Sequence, residues 1–303
     1  MLIVFVVFLQ SILFAFFHLH IRKLEERGVS SHTIAGLQRY AVIPALILFA
    51  ITYKPEYISL LATNPHTIWW ILGIAFFWGI GQYVGYIILD SASSLSFVYT
   101  IAGFIEIPIL MGASILINHD YPNPSVLIAI ALLIVALIIK PTQHKENKRA
   151  LLKYSVFIVI GLVFASTLGH AFDGAFYKNI LHVLQPQTVM FGISIYVLTT
   201  SLILNVIYLL PIFKKTSPEE KRIVKEYWWV AYSIPFIWFI ASLPEGYSFS
   251  RLPLFTLSAL GAFGFLIKLI SDLRNKRLEW NLHTGLFALV VIASIVFSTL
   301  SLR

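Results

Sequence analysis

The stretch GYIILDSASSLSFVYTIAGFIEIPILMGASILI, Gly85 to Ile117, decides the fold. It is apolar almost throughout, shows no strand-like alternation, and carries Glu106 with apolar runs on both sides. A helix needs about 20 such residues to cross the hydrocarbon core of a bilayer. A charged side chain at that depth costs roughly 2.5–3.5 kcal/mol on insertion scales. A carboxylate kept at such a cost points to function.

The same pattern extends in both directions. Of 303 residues, 58% are hydrophobic and only 12% charged, with a mean hydropathy of +0.84. Soluble domains carry about 25% charged residues, so the chain is expected to be an integral membrane protein. Apolar segments near 2–20, 34–53, 67–89, 92–117, 124–140, 154–176, 187–212, 227–244, 251–270 and 282–301 predict ten transmembrane helices. No connection is long enough for a soluble domain. The first apolar stretch lacks a basic flank and a small-residue cleavage site, and reads as a retained span. Lipid cannot satisfy an open backbone, so helices are the expected element. There is no cysteine, which excludes disulfides and thiolate metal sites.

Shifted by 155 residues, the chain falls on itself: Lys23 lands on Lys178, Thr33 on Thr188, and the stretch after Asp90 on the one after Glu245. This predicts two five-helix repeats, 1–150 and 151–303. Five is odd, so the second repeat enters the membrane from the opposite face, an inverted repeat of the kind secondary transporters use. Basic residues follow the side of the membrane rather than the copy. One side collects Arg22, Lys23 and Arg27, the run from Lys140 to Lys153, the run from Lys214 to Lys225, and Lys268 to Arg277; the other has Lys54, Lys178, Arg251 and Arg303. The net charge of +8 therefore serves orientation, not nucleic-acid binding. The count places both termini outside.

Three stretches carry a resemblance. GVSSHTIAGLQRY puts Arg39 early in the second segment, DSASSLSFVYTIAGFIEIPIL leads small residues to Pro108, and LRNKRLEWNLHTGLFALVVIASIVF sets Glu279 before a last helix bearing Gly285. The layout resembles the drug/metabolite transporter superfamily, in its ten-span EamA-like branch. The resemblance implies a multi-pass protein of the plasma membrane that moves or effluxes a small metabolite by alternating access, with the substrate between the repeats. It also implies cytoplasmic termini, opposite to the charge count.

The candidate site residues are the polar and aromatic groups inside segments. Glu106 suits a protonatable switch or an amine site, against a purely structural, paired carboxyl. Arg39 could hold an anion, pair with Glu106, or snorkel to the headgroups. Ser166, His170 and Asp173 share one helical face, and a His/Asp pair can relay protons. Gln82 and Tyr83 lie between Gly81 and Gly85, a GxxxG spacing that suits close helix packing, while Gln82 and Tyr86 could line a cavity. Trp78 and Trp238 lie deep enough to stack on a flat substrate or simply to fill a core. His18 and His20 read as interfacial. No HExxH, GxSxG or carboxylate cluster is present, so neither an enzyme nor a metal or other cofactor is expected. A channel would want a continuous polar lining, which the few interior polar groups do not supply. The expected partners are a small-molecule substrate such as an amino acid or a drug-like amphiphile, the lipid bilayer and protons. A complete internal repeat lets a monomer suffice, with a homodimer as the alternative.

Overall fold

A computed structural model describes residues 2–91, 95–139, 156–184, 188–209, 216–274 and 278–302, without the side chains of Arg22, Ser31, 85–104 and 156–159. The boundary expected at residue 150 lies outside the described residues. Among those described there is no strand. The helices are α1 (Leu2–Glu25), α2 (Ser31–Gln38), α3 (Val42–Thr52), α4 (Pro55–Thr63), α5 (Thr67–Ser91), α6 (Leu95–Asn118), α7 (Pro124–Ile138), α8 (Val156–Leu184), α9 (Val189–Leu209), α10 (Pro218–Glu226), α11 (Trp228–Phe249), α12 (Leu254–Gly261), α13 (Phe263–Arg274) and α14 (Leu282–Leu300). The described residues of the apolar segments are largely helical. A 3₁₀ turn, Arg39–Ala41, joins α2 to α3, and a break at Ala262 separates α12 from α13.

Six helices or helix pairs are long and apolar enough to cross a bilayer: Leu2–Glu25, His32–Thr52, Thr67–Val84, Val189–Leu209, Leu254–Arg274 and Leu282–Leu300. Their outward faces are apolar. On α14, Leu282, Leu286, Leu289, Ile292 and Val296 are exposed at helical spacing, while Thr284, Phe287, Val291, Ser294 and Ser298 are buried. A soluble helix would show the reverse. Small hydroxyls on the buried face let backbones approach and bond across helices, as Ser294 Oγ does with the Ala129 carbonyl of α7 at 2.8 Å. Exposed stripes of this size on several helices belong against hydrocarbon, and the chain is accordingly a membrane protein.

Three helices outrun the apolar segments that predicted them. α1 continues to Glu25 and closes on Gly28, whose φ of +90° suits glycine; the Gly28 and Val29 amides then cap the Glu25 and Leu24 carbonyls. α8 runs to Leu184 because Tyr177, Ile180, Leu181 and Leu184 bury one face through a stretch whose mean polarity hid it. α11 runs to Phe249 across Pro244, so Glu245 lies inside a helix. Two short helices were not predicted. α4 starts on Pro55 at its first turn, and α10 on a capping box between Ser217 and Glu220; both are too short for a span to reveal.

The packing decides what meets at the centre. The broadest contacts are α5 on α8 and α1 on α11, followed by α6 on α8, α7 on α14 and α3 on α9. α12 and α13 lie against α1, and α12 also against α6. One core joins α1, α2, α3, α5, α8, α9 and α11; a second joins α6, α7, α12, α13 and α14. At the α5–α8 crossing Gly169 meets Gly81, and a Cβ on Gly169 would stand 2.5 Å from the Phe77 carbonyl oxygen and 2.9 Å from the Gly81 nitrogen. The close approach expected of Gly81 is therefore made with Gly169.

Candidate functional site

Glu106, on α6, sits deep among the helices yet keeps an exposed side chain. The charge acting on it is Lys268 of α13, which also acts on His18 of α1. His18 bonds through Nδ1 to the Phe14 carbonyl at 2.7 Å. It lies inside α1 rather than at its end, because that helix extends beyond it. The Lys268 ammonium thus lies within electrostatic reach of a carboxylate on α6 and an imidazole on α1.

On α8, Ser166 Oγ donates to the Gly81 carbonyl at 2.8 Å, and the His170 ring rests on Gly81. Asp173, one turn on, is 3% exposed and accepts a hydrogen bond from Tyr196 Oη of α9 at 3.2 Å. His170 and Asp173 therefore turn to different neighbours, α5 and α9, despite sharing a helix. Beside Asp173, Tyr177 and Tyr196 stack with ring centroids 4.0 Å apart. Glu245 of α11 acts electrostatically on Asp173, Tyr177 and Tyr196 together. Like Glu106, His170 and Glu245 are deep but incompletely covered.

Trp78 of α5 and Trp238 of α11 come together at 6.3 Å between ring centroids. Both are buried in the first core, so they pack on each other. Gln82 is half-buried on α5. Tyr86 lies on the same helix, with its side chain outside the described residues.

Arg39 does not reach Glu106. Its guanidinium lies over the Tyr208 ring at 4.2 Å and the Tyr40 ring at 5.1 Å. Contacts of this kind are worth about 0.5–2 kcal/mol, depending on desolvation. Near it, Glu220 of α10 accepts from the Ser30 amide at 2.8 Å, Thr33 Oγ1 at 3.1 Å and the Ser217 amide at 2.7 Å. Burial works to raise the Glu220 pKa, but these donors from Ser30 and Ser217 outweigh it and bring it down to about 2. Elsewhere, at the far end of α6, Lys178 of α8 forms a buried ion pair with Asp120, which also accepts from Ser114 Oγ at 2.8 Å.

Sequence reasoning missed His18, Lys268, Glu245, Tyr177 and Tyr196. Lys268 was counted with the basic loops, and Glu245 was placed just beyond a helix end because Pro244 precedes it. The available signal was the 155-residue shift, which sets His18 on Asp173. Among the described residues no group of three metal-ligating side chains is present. A shallow apolar hollow of about 480 Å³ lies on the outer side of α14, between Trp280 and Leu289, and involves none of these residues.

No family model and no curated protein matches the chain. Solved structures do match its fold. One, described only as a crystal structure of a protein, aligns over 98% of this chain and 98% of its own with a TM-score of 0.64 at 11% identity. At that identity the likeness concerns the fold alone.

Proposed function

We propose that the chain is a ten-span secondary transporter of the drug/metabolite transporter type, in the plasma membrane, built as two inverted five-helix repeats that move a small metabolite by alternating access. The observation that carries this reading is the set of ionisable groups, His18, Glu106, His170 and Glu245, that lie deep among the helices of both halves and yet remain accessible. Intramembrane ionisable groups that face an interior space mark substrate and ion pathways.

The packing supports the repeat. Exchanging the halves maps α1 to α8, α5 to α11, α6 to α12 and α13, α3 to α9, and α7 to α14. Under that exchange α1 on α11 becomes α8 on α5, and α6 on α8 becomes α12 and α13 on α1. The pairs α3–α9, α7–α14 and α6–α12 map to themselves. The main contacts thus close on one another, as a twofold between inverted copies requires. Each repeat supplies helices to the other's surface, so the space between them belongs to both.

The test is uptake into liposomes holding the purified full-length protein, with labelled amino acids, organic amines and sugars as the panel. The expected result is saturable uptake of one class above protein-free vesicles, reduced at least tenfold by Glu106→Gln with unchanged elution on size exclusion. Uptake of no class above the protein-free control would overturn the reading, and unchanged uptake by Glu106→Gln would remove Glu106 from the pathway.

A further inference from the structure

Two carboxylates, Asp173 on α8 and Glu245 on α11, lie within Coulomb reach of each other in the interior. Neighbouring carboxylates with little water around them oppose each other's ionisation, so they titrate as a pair and the last proton is held the more tightly. Their surroundings are not equivalent. Asp173 is sealed, at 3% exposure, and already holds the Tyr196 hydroxyl at 3.2 Å. Glu245 is half-buried and reaches accessible space.

A separate observation concerns Tyr177. It is 1% exposed, and its hydroxyl has no hydrogen-bond partner. That hydroxyl ends against Gly246, where an added Cβ would collide with it, next in the chain to Glu245. Burying an unpaired hydroxyl is costly, and this one sits beside Gly246, within electrostatic reach of the Glu245 carboxyl. The stack of Tyr177 on Tyr196 and its edge contact with Phe249, 5.6 Å between centroids, fix where it points.

We propose that Asp173 and Glu245 form a one-proton site, with Glu245 the exchanging member and Tyr177 the donor that receives its carboxylate, and that this proton is the coupling ion of the transporter. The coupling role rests on the transport reading above. In the loaded state Glu245 carries the proton and Asp173 is held by Tyr196. On unloading, the Glu245 O–H bond breaks, the proton passes to water in the interior space, and the carboxylate left behind accepts the Tyr177 hydroxyl. The site is too closely packed around Tyr177, Tyr196 and Gly246 for an organic cation.

The other titratable groups on these helices and their neighbours turn elsewhere. On α8, His170 faces Gly81 and Lys178 faces Asp120. α5 brings Phe77 to α8, where it stacks on Phe172. α6 brings Ala113 and Leu110, its Glu106 answering to Lys268. α12 brings Leu254 and has no titratable residue. Tyr57 of α4 packs on Phe191 of α9. Against α11, His18 of α1 answers to Lys268, and His32 of α2 stacks on Tyr208; α10 packs at the opposite end, where Glu220 binds Ser30.

The proton itself is the probe. Full-length protein in liposomes is titrated while the infrared band of protonated carboxyl is followed. The wild type is expected to lose one carboxyl proton in a step between about pH 5 and 9. Glu245→Gln should abolish the step, and Asp173→Asn, which removes the neighbouring negative charge, should lower its midpoint. Tyr177→Phe keeps both carboxyls but removes the waiting donor, so it should raise the midpoint by about one pH unit, a tenfold change in proton affinity. A wild type with no such step, a step retained in Glu245→Gln, or a midpoint unmoved in Tyr177→Phe would overturn the site. The Tyr177→Phe result stands even if the carboxyl variants fail to fold. Uptake of the panel under an imposed pH gradient separates the two claims. Uptake indifferent to the gradient, with no step, removes the proton site and leaves transport; a step without uptake of any panel compound removes the coupling role and leaves the proton site.

Discussion

Replacing Gly169 with alanine tests the helix crossing on which the interior geometry hangs. The new Cβ would lie 2.5 Å from the Phe77 carbonyl oxygen, 2.9 Å from the Gly81 nitrogen and 3.0 Å from the Gly81 Cα. All three are backbone atoms, so no side chain can swing aside. α5 and α8 must separate by roughly 0.5–1 Å in an interior that packs as densely as a crystal. Overpacking of this kind costs about 1–3 kcal/mol, and a threefold backbone clash belongs at the upper end. Alanine in a helix recovers roughly 1 kcal/mol over glycine, leaving a net loss of about 2 kcal/mol. Gly161 on the same helix is the control, because nothing lies within 4 Å of its Cβ position; Gly161→Ala should gain up to about 1 kcal/mol. Unfolding is followed by tryptophan fluorescence in mixed micelles of rising SDS fraction, since the chain has no cysteine for thiol dyes. The two midpoints should move in opposite directions. If Gly169→Ala is as stable as Gly161→Ala, the two helices do not cross at Gly81 as described.

Two further outcomes follow from charges outside the interior site. Asp120→Asn strands the Lys178 ammonium, whose side chain is 4% exposed, and should cost about 3–5 kcal/mol in the same SDS titration; Lys178→Met, which leaves a carboxylate that is 21% exposed and still bonded to Ser114, should cost less, and the double variant should recover part of the loss. Glu220 has a depressed pKa, so its contribution is fully present above the ordinary value of 4.5 and is lost as pH falls through about 2; the wild type should lose stability across that window, and Glu220→Gln should be less stable than wild type at neutral pH with a flatter acid limb, as read by thermal unfolding at stepped pH.

The six long apolar helices were legible because hydrocarbon imposes one simple requirement, a run of apolar residues of bilayer length. The ends were not, because a helix end is set by local capping and by one buried face. Tyr177 to Leu184 continue α8 through residues whose average polarity is that of a loop. Glu106 was legible as a lone charge in an apolar run. Lys268 was not, although it has the same character, because a lysine near the end of a segment reads as a topological marker. Pro244 hid Glu245 in the same way: proline argues for a helix end, and here α11 passes through it. The aromatic pair Tyr177 and Tyr196 had no sequence signal at all, since a stacking partner on another helix is a matter of tertiary position. Trp78 and Trp238 illustrate the converse, two residues marked singly that meet only with each other.

The proposed repeat makes the difference between the halves informative. Under the 155-residue shift His18 and Asp173 hold the same place in α1 and α8, and Lys23 and Lys178 the same place further along. Backbone layout is shared, but the chemistry is not. α1 with α13 offers an imidazole and an ammonium to Glu106, whereas α8 with α9 and α11 offers two carboxylates and two phenols. Lys23 stacks on Trp229 at 4.6 Å, while Lys178 is sealed in an ion pair with Asp120. Packing alone would let equivalent positions in such copies keep similar side chains, because the neighbouring helices are equivalent too. In the proposed transporter such a difference between the halves would supply the bias between two alternative packings, because a bistable element moves only if its ligands bind its two states unequally. A carboxylate flanked by cationic groups on one side and a pair of carboxylates on the other would provide that inequality for the proposed solute and proton, and a strictly symmetric interior would not.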